Sequence, residues 1–289
     1  MIKVIITGAN GQLGMAFARE FALRGVTFWA FDHSSCNITN KEQVGNILDD
    51  RKPSVLINCA AYNLVDEAQH DQTRAFAVNA EAVKILAQAC HARGIKFVHY
   101  STDYVFDGRK DGLYQEDDTP GPLNVYGQSK YQGETWARTM TADHLVFRTS
   151  WVYGQGEHNF LHKVSQWATK SKVLKISADE VSVPTYVDDI VSVTLKAIEH
   201  GLTGLYHLTS SGYASRYEWA KYFLKAQGLD TLVIPVPLGY FQSQAQRPLF
   251  SAMSNQKISE KLGMQIPCWQ AGIDKCVQSR VVKTVNIPL

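Results

Sequence analysis

Apolar residues follow two alternating rhythms along this chain. Short unbroken runs such as Val4-Ile5-Ile6, Val55-Leu56-Ile57 and Leu145-Val146-Phe147 are bounded by glycine or polar residues. Between them lie longer stretches with apolar positions three and four apart. The runs predict buried strands and the periodic stretches amphipathic helices. Strands are expected over 3–7, 27–31, 55–61, 96–100, 144–148, 175–178 and 204–209. Helices are expected over 15–23, 41–50, 72–93, 126–137, 159–170, 184–198 and 215–226. Thr39 or Asn40 caps the second helix. Phe160, Val164 and Trp167 read as core, and so does His99 inside its strand. Regular alternation of this kind predicts an α/β fold, a doubly wound parallel sheet with helices on both faces. After Leu229 the rhythm breaks among prolines at 235, 237, 248, 267 and 288. The expected division is a nucleotide-binding domain over 1–228, with segments reaching the substrate cleft, and a smaller substrate-binding region over 229–289.

The first turn carries the most specific chemistry. Gly8, Gly11 and Gly14 follow the first strand at intervals of three and open the first helix. This is the strand–glycine turn–helix pattern of a Rossmann-type dinucleotide site. Gly8 permits the tight exit, Gly11 lets backbone N–H groups approach a pyrophosphate, and Gly14 lets helix and sheet pack closely. Asp32 ends the second strand, where a carboxylate can accept hydrogen bonds from the adenosine ribose. It would repel a 2′-phosphate, whereas His33, Ser34 and Ser35 would tolerate one. Ala60 and Ala61, small residues ending the third strand, are cofactor-wall positions or packing residues. Asn79 interrupts the apolar face of the long helix and, if buried, needs partners.

Ser101 and Thr102 put two hydroxyls at the end of the fourth strand, where ligands of such sheets sit. Tyr126 and Lys130, four apart, share a helix face. A phenol of pKa near ~10 is a poor catalyst at neutral pH, and a neighbouring ammonium lowers it. Arg247 is the best diphosphate ligand of the C-terminal region, because a guanidinium grips two oxygens at once. Asp188 and Asp189 read as caps of the helix they open.

Composition narrows the partners. The chain has 289 residues, a net charge of +2 and five scattered cysteines without a CxxC pair. Nucleic acid is not an expected partner, nor is a disulfide frame or a zinc site. No apolar run is long enough to cross a bilayer and no leader pattern is present, so the expected setting is cytoplasmic.

TGANGQLG, STDYVFDG, PLNVYGQSK and FRTSWVYG occur in this order. With GLYHLTSSG, Arg247-Pro248 and the Trp269–Ile273 stretch, they resemble the extended short-chain dehydrogenase/reductase superfamily, and within it the dTDP-4-dehydrorhamnose reductase family. The resemblance implies reduction of the C4 keto group of a dTDP-4-dehydro-6-deoxy sugar by NADPH or NADH. It makes Tyr126 the proton donor, Lys130 its partner and a nicotinamide-ribose ligand, and Thr102 the catalytic hydroxyl. Asp103 and Trp151 would contact the sugar or its nucleotide. Gly11, Gln12 and Leu13 would face the pyrophosphate, and Tyr100 the nicotinamide ribose. Asn37 and Ile38 stand near the adenine, where Asn37 replaces the usual acidic residue. Some members bridge a dimer with magnesium; Ala16 and Glu20 supply no such site here, so no metal is expected and the chain is read as a monomer or homodimer. Other readings of the same frame are a different 4-ketoreductase, an epimerase that retains its NAD, and a cofactor-binding regulatory subunit like that of methionine adenosyltransferase.

Overall fold

Six of the expected strands pair into one parallel sheet. They are β1 (Lys3–Thr7), β2 (Thr27–Phe31), β3 (Val55–Asn58), β4 (Lys96–Thr102), β5 (His144–Thr149) and the edge strand Gly204–His207. The computed structural model describes residues 2–157 and 159–285; residues 286–289, the end of the expected substrate-binding region, lie outside the described residues. The strand order is β2, β1, β3, β4, β5, then Gly204–His207. The chain therefore leaves β1 in one direction and returns on its other side, which opens a crevice beyond the carboxyl ends of β1 and β3.

The unbroken apolar runs are explained by burial on both faces. Val4 and Ile6 pack with Phe17, Phe21 and Ile190 on one side, whereas Ile5 packs with Leu48, Leu56 and Leu86 on the other. Helices α1 (Gln12–Arg24) and Val187–Glu199 cover the first face. Helices α2 (Lys41–Arg51), Ala82–His91 and Val125–Met140 lie on the second. Asn40 caps α2 by accepting from Gln43 N at 3.0 Å, a contact of about 1 kcal/mol.

Several elements depart from expectation. A short helix, Val65–His70, precedes the long one, and Asp71 restarts the chain by capping Arg74 N at 3.1 Å. The long helix then contains a π-helical turn at Ala77–Glu81, which turns Asn79 inward. β4 continues to Thr102 because Ser101 and Thr102 still pair with Arg148 and Thr149. β3 stops at Asn58, leaving Cys59–Ala61 as coil. Val173–Ser177 pairs outside the main sheet, in parallel with Leu232–Val236 from the C-terminal region. Val164 is buried, but Trp167 is 40% exposed. Asp188 accepts from Arg19 and Tyr186, and Asp189 from Lys275, so these acids tie α1 and the C-terminal helix Trp269–Val285 to their own helix.

Candidate active site

The crevice is made of backbone. Gly8 has φ +72°, and a Cβ there would stand 2.5 Å from Ala60 N; one on Gly14 would stand 2.4 Å from Gly8 O. Only glycine lets β1, β3 and α1 meet so closely. α1 starts at Gly11 with no side-chain cap, so its first N–H groups face the crevice. Gly8, Gly11, Asp32, Asn37, Ile38, Ala60 and Ala61 all border one cavity, together with Tyr62, Arg74 and Val78. Asp32 accepts from Ser34 Oγ and Ser35 Oγ at 2.7 Å each and from Asn10 Nδ2 at 2.8 Å. The bonds from Ser35 and Ser34 hold its carboxyl well below the usual range. Asn37 Oδ1 is occupied by Thr39, leaving Ile38 as an apolar wall.

Gly11, Cys59, Ala60, Ala61 and Asn63 also border a second cavity of about 320 Å3. The two spaces therefore form one cleft. Gln12, Leu13, Tyr100, Thr102, Asp103, Tyr126, Lys130 and Trp151 line the second part, with Ser101, Thr149 and Ser150. Tyr126 reaches it because Gly127 admits the carbonyl of Tyr104: a Cβ there would lie 2.3 Å from that oxygen. Asn124 caps the helix, accepting from Gly127 N at 2.8 Å. Burial pushes the Tyr126 phenol up to about 12, against a hydrogen bond with Thr102 that lowers it. Burial thus favours its protonated form.

Lys130 behaves otherwise than expected. Its Nζ donates to the Tyr100 carbonyl at 2.5 Å, and burial brings it down to about 8 despite the Glu134 carboxylate one turn on. The Tyr100 ring packs on Phe17 and Phe147 and its hydroxyl meets Thr194 Oγ1 at 2.7 Å, so its backbone is what the cleft receives. Glu134 is itself gripped by buried Arg148 at 2.6 and 2.9 Å, bolting the Tyr126 helix to β5. Breaking such a buried pair costs about 3–5 kcal/mol.

Asp103 is buried and accepts from Thr102, Ser182 and Ser251 at 3.1, 2.8 and 2.6 Å. Desolvation raises its pKa while these hydroxyls oppose the rise. Nothing in the sequence pattern pointed to Ser182 or Ser251. Thr149, across the β4–β5 pair from Thr102, was legible from its place at a strand end and was missed. Arg247 does not border the cleft; its guanidinium holds Asp66 at 2.6 and 3.2 Å. Trp151 does border it, with a left-handed backbone of φ +42°. Such strain costs roughly 1–3 kcal/mol and must be held by neighbours.

Asn79 finds a role as a clamp. It accepts from Tyr62 N at 2.8 Å and donates to Tyr62 O and Ser129 Oγ at 3.0 Å each. Ser129 in turn donates to Tyr126 O at 2.8 Å, which links Tyr62, at the border of the first cavity, to the Tyr126 helix. His99 is half satisfied: Nδ1 meets Asn58 at 3.1 Å, and Nε2 has no hydrogen-bond partner. Among the described residues there is no group of three or more His, Cys, Asp or Glu that could hold a metal ion. No helix there is long and apolar enough to cross a membrane.

The family described as RmlD substrate binding domain matches residues 2–282. The dTDP-4-dehydrorhamnose reductase of Burkholderia thailandensis is 35% identical, over 96% of this chain and 98% of that protein. A dTDP-4-dehydrorhamnose reductase structure from Clostridium acetobutylicum superposes with a TM-score of 0.94 at 32% identity, covering 97% of this chain and 100% of that one. One from Bacillus anthracis, in complex with NADP, gives 0.93 at 34% identity, covering 96% and 100%.

Proposed function

We propose, since this chain belongs to the RmlD substrate binding domain family, that its cleft reduces the C4 keto group of a dTDP-4-dehydro-6-deoxy sugar. The chain is an oxidoreductase that uses NADPH or NADH, and its substrate in this reading is dTDP-4-dehydro-L-rhamnose, giving dTDP-L-rhamnose. The observation that carries the reading is the meeting of Tyr126, Thr102 and Lys130 at one end of a cleft whose other end is the glycine crevice.

The residues fit a dinucleotide. A side chain on Gly8 or Gly14 would close the crevice, and the uncapped start of α1 suits a pyrophosphate. Ser101 Oγ and Thr149 Oγ1 are buried at the strand ends without a partner, ready for the polar edge of a ligand. Gly11, Gln12 and Leu13 hold the pyrophosphate, Asp32 and Asn37 stand at the adenosine end with Ile38, Ala60 and Ala61 as walls, and Lys130 with the Tyr100 backbone takes the nicotinamide ribose. When bound, the cofactor supplies a hydride to the C4 carbonyl carbon.

The chain's own part is to manage the oxygen. Tyr126 is the general acid of this reading: its phenol borders the cleft with Thr102 and Lys130 and carries a proton in the neutral range, although burial makes it a weaker acid than a free phenol. Thr102, whose hydroxyl proton goes to Asp103, presents its oxygen beside Tyr126 at this end of the cleft and helps to position the phenol. Lys130, held on the Tyr100 carbonyl, adds a positive charge to this end of the cleft and orients the ribose. Asp103 holds Thr102 from behind, and Trp151 forms a wall for the sugar. Residues 1–228 carry the cofactor and 229–289 complete the substrate side, a division supported by the reach of Ser251 to Asp103.

The test is loss of reduced-nicotinamide absorbance with dTDP-4-dehydro-L-rhamnose generated in the cuvette, NADPH and NADH being compared. Stoichiometric oxidation with formation of dTDP-rhamnose is expected. Cofactor binding without oxidation would overturn the substrate assignment.

A further inference from the structure

Arg216 opens the helix Arg216–Ala226, far along the chain from Trp151. Yet its guanidinium carbon stands 3.6 Å from the centre of the Trp151 ring and 5.4 Å from that of Trp219. The two indoles stack with centroids 5.4 Å apart and planes within 12°. These distances decide which side of Trp151 is covered. A cation and a ring on opposite faces would be separated by roughly 7 Å, two van der Waals contacts of ~3.5 Å. The observed 5.4 Å is shorter, so Arg216 and Trp219 back the same face of Trp151. Trp151 itself borders the cleft. Arg216 is fixed in turn: its Nε stands 3.4 Å from the buried Glu180 carboxylate, and its guanidinium lies 5.1 Å from the Phe160 ring.

We propose that Arg216 is a positioning residue for the substrate. Its cation–π contact holds the left-handed Trp151 as a flat wall, and the apolar C–H face of the 6-deoxy sugar packs on the ring face opposite Arg216. The proposal rests on the ketoreductase reading of the cleft. Arg216 touches neither substrate nor cofactor and acts through Trp151 alone. Trp151 stands two residues beyond Thr149, which pairs with Thr102, so the ligand part nearest the wall is the sugar and not the distant base.

A double-mutant cycle tests this. Arg216→Met, Trp151→Leu and the double variant are compared for KM, kcat and NADPH affinity, and the near-ultraviolet circular dichroism of the stacked indoles is recorded. Arg216→Met is expected to raise KM for the keto sugar about tenfold, within the range of a desolvated cation–π contact. kcat and NADPH affinity should hold, and the indole signal should weaken. In the Trp151→Leu background the same change should add nothing, because the residue it acts through is gone. Arg216→Lys keeps the charge but loses the plane and should recover part of the KM. An unchanged KM in Arg216→Met, effects that multiply in the double variant, or a parallel loss of NADPH affinity would overturn the proposal. If Arg216→Met does not fold, Arg216→Lys gives the same readouts against wild type. If the wild type turns over no keto sugar nucleotide, the ketoreductase reading fails separately. The indole signal then decides the Arg216–Trp151 coupling by itself, and an unchanged signal in Arg216→Met overturns it.

Discussion

The two ends of the cleft are built on different principles. The end at the glycine crevice is shaped first by main chain, Gly8 against Ala60, Gly14 against Gly8 and the bare start of α1, with Asp32 and Ile38 adding side chains beyond it. Its parts lie within a few dozen residues of one another, and what shapes them is the absence of side chains. The substrate end is made of side chains from distant segments. Thr102, Ser182 and Ser251 converge on Asp103, and Arg216 and Trp219 back Trp151. A site for an invariant ligand, the dinucleotide, can be written into backbone geometry. A site that must recognise one sugar among many needs adjustable groups, and these have to be gathered from across the fold.

Four perturbations would sharpen or break this contrast. The largest effect belongs to Tyr126, where the ends meet. Tyr126→Phe should cut kcat by about 10²–10⁴-fold, the share of a general acid, with NADPH affinity unchanged in an equilibrium titration. Gly8→Ala forces a Cβ to 2.5 Å from Ala60 N at positive φ. It should weaken NADPH binding and cost about 1–3 kcal/mol in denaturant melts, while KM for the sugar in the fraction that binds cofactor stays the same. A parallel loss of sugar affinity would show that the ends are not separable. The third test is pH. Lys130 is brought from 10.5 down to about 8 by burial, so its charge is complete below that value and is lost as pH rises through it. kcat/KM should fall across that limb, roughly tenfold per pH unit at its steepest. An activity flat across pH 7–10 would remove Lys130's charge from the mechanism. The smallest effect is expected from Asp66→Ala, which frees Arg247 and two backbone N–H groups at 244 and 245. Asp66 is well exposed, so about 1 kcal/mol or less of stability is at stake. A modest rise in sugar KM with unchanged cofactor affinity would place this contact on the substrate side.

The same contrast explains what could be read from the chain alone. Strand–helix alternation and the Gly8–Gly14 spacing are local signals, and the sheet and crevice follow from them. Tyr126 and Lys130 were legible because a helix places residues four apart on one face. Their mutual arrangement was not: whether the Lys130 ammonium meets the phenol or the Tyr100 carbonyl depends on how the helix Val125–Met140 sits on β4. The pairing of Arg247 with Asp66 was not legible, because an arginine in a loop carries no mark of its partner and Asp66 lies far from it in sequence. The π-helical turn that aims Asn79 left no trace in the apolar period, which only shows that a polar residue interrupts it.

The reach of Ser251 to Asp103 also has a meaning in time. A chain is made from its N-terminus, so Gly8, Thr102, Tyr126 and Lys130 leave the ribosome before the hydroxyl that completes the Asp103 triad. At roughly 5–20 residues per second, the stretch from Lys130 to Ser251 takes on the order of ten seconds to appear. Until Ser182 emerges the carboxylate behind Thr102 is two donors short, and from there to Ser251 it is one donor short. The hydroxyl set around Asp103 is thus completed only once much of the C-terminal region has been made.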